Sequence, residues 1–203
     1  IKYQSNILSK NRQLRINHGI EVGIQGKGSG GQAVQNFIHS LLPASEEIKD
    51  WQYQLGTDII LNYQFQAEKG IINQEQLMIS AIARLMIGSP QLSAELGAQL
   101  RVGKLFDRFK YEDYADADWS LFFYTKPLAS FTAYNTLLQG GLLTYNDPYT
   151  LGSIKNLYYS VQTGFYFTKG RWALDYSFTY ESRLANDLMP HRWSSLDIIY
   201  LLN

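Results

Sequence analysis

The chain has no cysteine in its 203 residues, which excludes disulfides, thiolate nucleophiles and cysteine-based metal sites. No run reaches the roughly 18 continuous apolar residues of a membrane-spanning helix. Neither charge is in excess: 18 Lys and Arg balance 18 Asp and Glu. Nucleic acid is therefore not an expected partner, because phosphates call for a basic surplus. Charged residues are scarce at 18%, below the ~25% of soluble domains. None of these absences excludes a membrane β-barrel, whose strands are too short and too alternating to register as apolar runs.

What is abundant is alternation and aromatic residues, with 15 Tyr, 10 Phe and 4 Trp. Leu14, Ile16, His18, Ile20, Val22 and Ile24 share one face, opposite Arg15, Asn17, Gly19, Glu21, Gly23 and Gln25. A period of two held this long predicts a strand. The same pattern runs from Trp51 to Phe65, Leu77 to Ile87, Leu92 to Val102, Trp119 to Ala133, Thr136 to Thr144, Leu157 to Phe167, Trp172 to Tyr180 and Leu196 to Leu202. Turns are expected at Ser9–Asn11, Lys69-Gly70, Gly88-Ser89-Pro90, Asn146-Asp147-Pro148 and Lys169-Gly170. The polar, acidic and aromatic stretch from Phe106 to Asp118 reads as a long loop.

With residues 1–10 reading weakly as the end or edge of a strand, that makes nine or ten antiparallel strands, many of about 12–16 residues, where globular strands average about 5–6. Such lengths suit an all-β transmembrane barrel with aromatic girdles, short turns at one end and longer links at the other. Its polar row, carrying both signs of charge, would face a lumen. The alternative is a soluble lipocalin-like barrel with the apolar row inward, since alternation alone does not say which face is inside. Strand length, aromatic load and the richly polar second row favour the membrane.

One stretch departs from the pattern. Gly26-Lys27-Gly28-Ser29-Gly30-Gly31 leads into a helix over about 31–42, with Val34, Phe37, Ile38 and Leu41 as an apolar stripe. The glycines match a dinucleotide fingerprint, and Glu46, Glu47 and Asp50 follow at a fitting distance. No repeated βαβ unit or buried parallel strand supports that fold. The glycines read instead as a sharp exit from a strand, with Ser29 as the expected N-cap. Lys27 beside a helix start is at most a weak anion site.

Gln35 and His39 lie one turn apart on the flank of this helix. Histidine suits general-base work near neutral pH, and a glutamine amide orients a carbonyl or a water. A surface helix whose polar flank happens to carry a histidine is the commoner arrangement. His18 reads as packing or as a membrane-boundary residue, and His191 as an interface residue at the start of the last strand. Ser40 merely neighbours His39. Glu46, Glu47 and the Asp113, Asp116, Asp118 cluster are oxygen ligands of the kind a hard cation takes, although solvated acidic loops are more common.

Taken together, Gly26–His39 and Asp50-Trp51-Gln52-Tyr53-Gln54 resemble the lipid A 3′-O-deacylase family of outer-membrane barrels. There a Gly-rich strand end is followed by a helix with Gln-x-x-x-His and a Gly-Trp-x-x-Gln strand start, with Asp50 here replacing the Gly. Tyr134-Asn135-Thr136-Leu137-Leu138-Gln139-Gly140-Gly141 and Asn146-Asp147-Pro148-Tyr149 resemble the family's Tyr-Asn-Ala-x-x-Gln-Gly-Gly and Asn-x-Ser-Pro stretches. Glu181 and His191-Arg192-Trp193 fall where the family has a Glu and a His-x-Trp.

The resemblance implies a twelve-stranded barrel in the Gram-negative outer membrane and calcium-dependent hydrolysis of the ester holding the 3′-linked acyl chains of lipid A in lipopolysaccharide. It makes His39 the base that activates water and Gln35 its neighbour in the site. The family's Asn-Asp pair, Thr and Lys, on strands N-terminal to this region, have no match among the 203 residues. Residues 1–203 are thus expected to be one outer-membrane barrel domain, N-terminally incomplete, with the helix at its rim. The runner-up is a catalytically silent barrel serving as a structural or accessory subunit among other membrane proteins.

Overall fold

The alternating segments become the strands of one antiparallel sheet. The computed structural model describes residues 1–41, 50–106, 109, 119–143, 150–151 and 153–200, without the side chains at 50 and 52. Nine strands are found among them: β1 (Lys2–Ser9), β2 (Leu14–Gln25), β3 (Asp58–Asn73), β4 (Leu77–Gly88), β5 (Gln91–Lys104), β6 (Trp119–Asn135), β7 (Leu157–Lys169), β8 (Trp172–Glu181) and β9 (His191–Tyr200). Each pairs with its neighbour in sequence, in the order β1 to β9. Helix α1 (Gly31–Ser40) follows β2, and the single helical turn α2 (Thr136–Gln139) follows β6. Among the described residues no helix is long and apolar enough to cross a membrane.

The side-chain rows sort inside out relative to a soluble protein. Glu68, Ser80, Gln99, Arg101, Ser120, Ser130, Thr168 and Ser177 are buried, while Leu61, Leu85, Leu96, Phe123, Phe165 and Leu196 are exposed. Among the described residues no second layer covers the polar row, and its burial comes from the sheet curling around it. Gln66, Ile82, Gln99, Tyr124, Gln162 and Asp175, from six successive strands, line one cavity of about 210 Å³. Hydrogen bonds also skip a strand, such as Tyr124 on β6 to Asp175 on β8 at 2.8 Å. A long sheet with a polar concave face and an apolar convex face is the arrangement of a membrane barrel wall.

Three expectations fail, each for a local reason. Lys69-Gly70 is no turn, because β3 continues to Asn73 and the chain reverses at 74–76. Gly70 serves close packing within the strand: a Cβ there would stand 2.9 Å from the Phe109 ring and from Gln13 Oε1. Trp51 to Leu55 is not strand; Asp50–Tyr53 form a 3-10 turn and β3 begins at Asp58. Thr136 does not open a strand either, because Asn135 caps α2 there with its side chain. The turn expected at Asn146-Asp147-Pro148 and most of the Phe106–Asp118 loop lie outside the described residues.

Candidate functional site

The strand ends sort the candidate residues. The C-termini of β2, β4, β6 and β8 and the N-termini of β3, β5, β7 and β9 share one end of the sheet. That end carries α1, α2, Glu181 and His191. His18 is not among them: it sits mid-strand on the convex face of β2, its ring 6.3 Å from that of Tyr63.

The glycine loop makes the exit from β2. Gly26 has φ +75°, and a Cβ there would meet the Gly56 carbonyl oxygen at 2.0 Å. The Lys27 amide donates to the Leu55 carbonyl at 3.2 Å and the Gly28 amide to Thr57 Oγ1 at 2.8 Å. Two amides of the glycine loop are therefore engaged by the entry to β3. The expected N-cap is also corrected. Gly30, in the left-handed region at φ +75°, caps α1, whereas Ser29 Oγ donates back to the Gly26 carbonyl at 2.7 Å.

α1 is mounted in an unusual sense. Gly31, Gln35 and His39, spaced by four, are its half-buried positions, and every other residue of the helix is exposed. The Trp51 ring lies against this row, 3.5 Å from where a Gly31 Cβ would stand. The row that sequence reasoning singled out for chemistry is thus the row turned toward the protein. Asp58 is an addition that no motif marked, and Trp51, which the sequence offers only as part of a strand-start motif, gains a role through its packing. Asp58 is buried at the mouth of the sheet, where Oδ1 accepts from the Ile59 amide at 2.8 Å and Oδ2 from the Leu143 amide at 3.3 Å.

The Tyr134–Gly141 motif builds scaffold. Asn135 Oδ1 accepts from the Leu137 amide at 2.9 Å, and Gln139 Oε1 accepts from the Asn135 amide at 3.0 Å, so each satisfies a donor at the helix start. Tyr134 Oη donates to the Gly140 carbonyl, and Thr136 Oγ1 donates to the Ser89 carbonyl at 2.8 Å. Through Leu143 and Asp58, this turn on β6 ties back to the start of β3. On the other side of the sheet, Glu181 and His191 face each other in register between β8 and β9, and the His191 ring is 4.8 Å from Trp193. Arg192 points to the other face and lies 5.6 Å over the Tyr180 ring.

Glu46, Glu47, Asp113, Asp116, Asp118 and the side chain of Asp50 lie outside the described residues. Among the described residues no three His, Asp or Glu side chains come together as metal ligands.

The family model described as "Outer membrane protein LpxR" matches residues 1–202. The solved structure of LpxR from Salmonella typhimurium superposes with a TM-score of 0.80 at 18% identity, over 98% of this chain and 71% of that one. No curated protein sequence matches the chain.

Proposed function

This chain belongs to the LpxR family of outer membrane proteins, and from that premise we propose that it hydrolyses the ester linking 3′-attached acyl chains to lipid A in lipopolysaccharide. The observation that carries the reading is the Gln35/His39 row, turned inward on a helix at the end of a lipid-facing sheet.

In this reading the His39 imidazole takes a proton from a water molecule. The water oxygen adds to the ester carbonyl carbon, the bond from that carbon to the sugar oxygen breaks, and the imidazolium returns the proton to the departing oxygen. The products are a fatty acid and a free sugar hydroxyl. Gln35, one turn away, directs its amide at the carbonyl oxygen, where a donor acts most strongly as charge builds up. Trp51 supports the helix start and excludes water on that side. Calcium remains part of the proposal through the resemblance alone, and no step here is routed through it. Residues 1–203 are taken as one domain of the barrel.

The test is the acylation state of lipid A, read by mass spectrometry after exposure to the full-length protein or its His39→Ala variant. The expected result is loss of the 3′-linked chains with wild type and their retention with the variant. Equal deacylation by both would refute the assignment to His39. No deacylation by wild type, with calcium supplied, would leave the silent structural or accessory subunit as the better reading.

A further inference from the structure

A helix packed on a protein core buries its apolar stripe and shows its polar side to water. α1 does the opposite. Its polar row of Gln35 and His39 is half-buried, whereas Val34, Phe37, Ile38 and Leu41 are 60, 64, 49 and 64% exposed. These four fall within one side of the helix by their three- and four-residue spacing. The adjoining strand is apolar on its convex face as well: Ile20, Val22 and Ile24 of β2 are all exposed. Only the Gly26–Ser29 turn and Gly30 separate that row from α1.

We propose that α1 is an interfacial helix whose Val34, Phe37, Ile38 and Leu41 side is sunk into the lipid layer beside β2, at the boundary of headgroups and acyl chains. The occupant is lipid because the patch continues the convex apolar face of a chain that belongs to an outer-membrane family. A short amphipathic helix binds such a boundary through its buried apolar area. Docking fixes the depth of the helix in the membrane. It does not depend on His39 being catalytic.

The absence of cysteine from the 203 residues makes the test clean. Nitroxide labels are placed at Phe37→Cys and, as controls on the polar flank, at Gln32→Cys and Asn36→Cys. The full-length protein is reconstituted in phosphatidylcholine vesicles, with heat-modifiable gel migration confirming that each variant is folded. The expected result is a label at 37 that collides several-fold more with oxygen and several-fold less with a water-soluble nickel chelate than the labels at 32 and 36. Equal chelate access at all three sites would overturn the proposal. So would a label at 37 shielded from both relaxants and showing spin–spin broadening that grows with protein density, because the occupant would then be a second copy of the chain.

Discussion

Arg101 Nη2 stands 3.4 Å from Glu68 Oε1, with the two side chains 4 and 1% exposed, on the concave face of the sheet and across the intervening β4. Glu68 Oε1 also accepts from Ser80 Oγ at 2.8 Å, and Arg101 Nη2 donates to Gln99 Oε1 at 2.7 Å. A buried ion pair is sustained only when its remaining donors and acceptors are met as well. This one is, because three neighbouring strands turn polar residues toward it.

Removing one partner strands the other charge. Arg101→Leu is expected to destabilise the protein by about 3–5 kcal/mol, and the double variant Glu68→Gln/Arg101→Leu by clearly less. Urea unfolding in lipid vesicles, followed by tryptophan fluorescence, measures both. Equal and small losses would mean that water rather than Glu68 satisfies Arg101.

The convex face calls for the opposite experiment. Leu96 is 66% exposed near the middle of β5. In a soluble barrel, Leu96→Arg would change stability by no more than about 0.5 kcal/mol. Facing lipid near the bilayer midplane, it is expected to cost about 2–4 kcal/mol. The same unfolding assay decides, and a neutral result would mean that this face does not meet hydrocarbon.

The α2 cap makes a local prediction. Asn135→Ala removes the side-chain acceptor for the Leu137 amide and is expected to cost about 1 kcal/mol. Limited proteolysis should then cut faster between residues 136 and 156, while the strands remain protected. Unchanged cleavage would show that Thr136 and Tyr134 hold the turn without the cap.

For the proposed hydrolysis, His39→Ala should lower kcat by about 10²–10⁴-fold, the usual contribution of a general base. Gln35→Ala should lower it by about 10²–10³-fold if its amide serves the developing oxyanion. Steady-state release of fatty acid from lipopolysaccharide separates the two roles. A Gln35 variant that changes KM alone would place Gln35 in ground-state binding.

Much of the wall was legible because strand periodicity is local. The rows of β2, β4, β5, β7 and β8, the Gly88-Ser89-Pro90 and Lys169-Gly170 turns and the helix itself stand where alternation and turn residues put them. The misreadings came from residues whose partners are distant in sequence. Gly70 looks like a turn glycine, but its lack of a side chain makes room for Phe109. Ser29 looks like an N-cap, but Gly30 takes that position by adopting a left-handed backbone. Thr136 reads as the start of a strand, and nothing local says that Asn135 will cap a helical turn there with Gln139 reaching back to its amide. Within the site, Gln35 and His39 were visible as a pair at helical spacing and Trp51 as part of a motif, whereas the contact of Trp51 with the helix start and the burial of Asp58 emerged only through packing.

By itself the sequence determined two things: long strands with unlike rows, and one helix that interrupts them. Period two and period 3.6 are properties of the backbone, so the residue pattern reveals them directly. Alternation alone could not determine which row is inside, although strand length and the polar second row favoured a polar lumen. An alternating strand is unchanged as a pattern when its two faces are exchanged, and only the direction in which the sheet curls breaks that symmetry. The tertiary structure curls it around Glu68, Arg101 and the serines and leaves the leucines and aromatics outside. The same holds for α1, whose Gln35/His39 row faces the protein because the Gly26–Ser29 turn and Trp51 set the rotation of the helix about its axis.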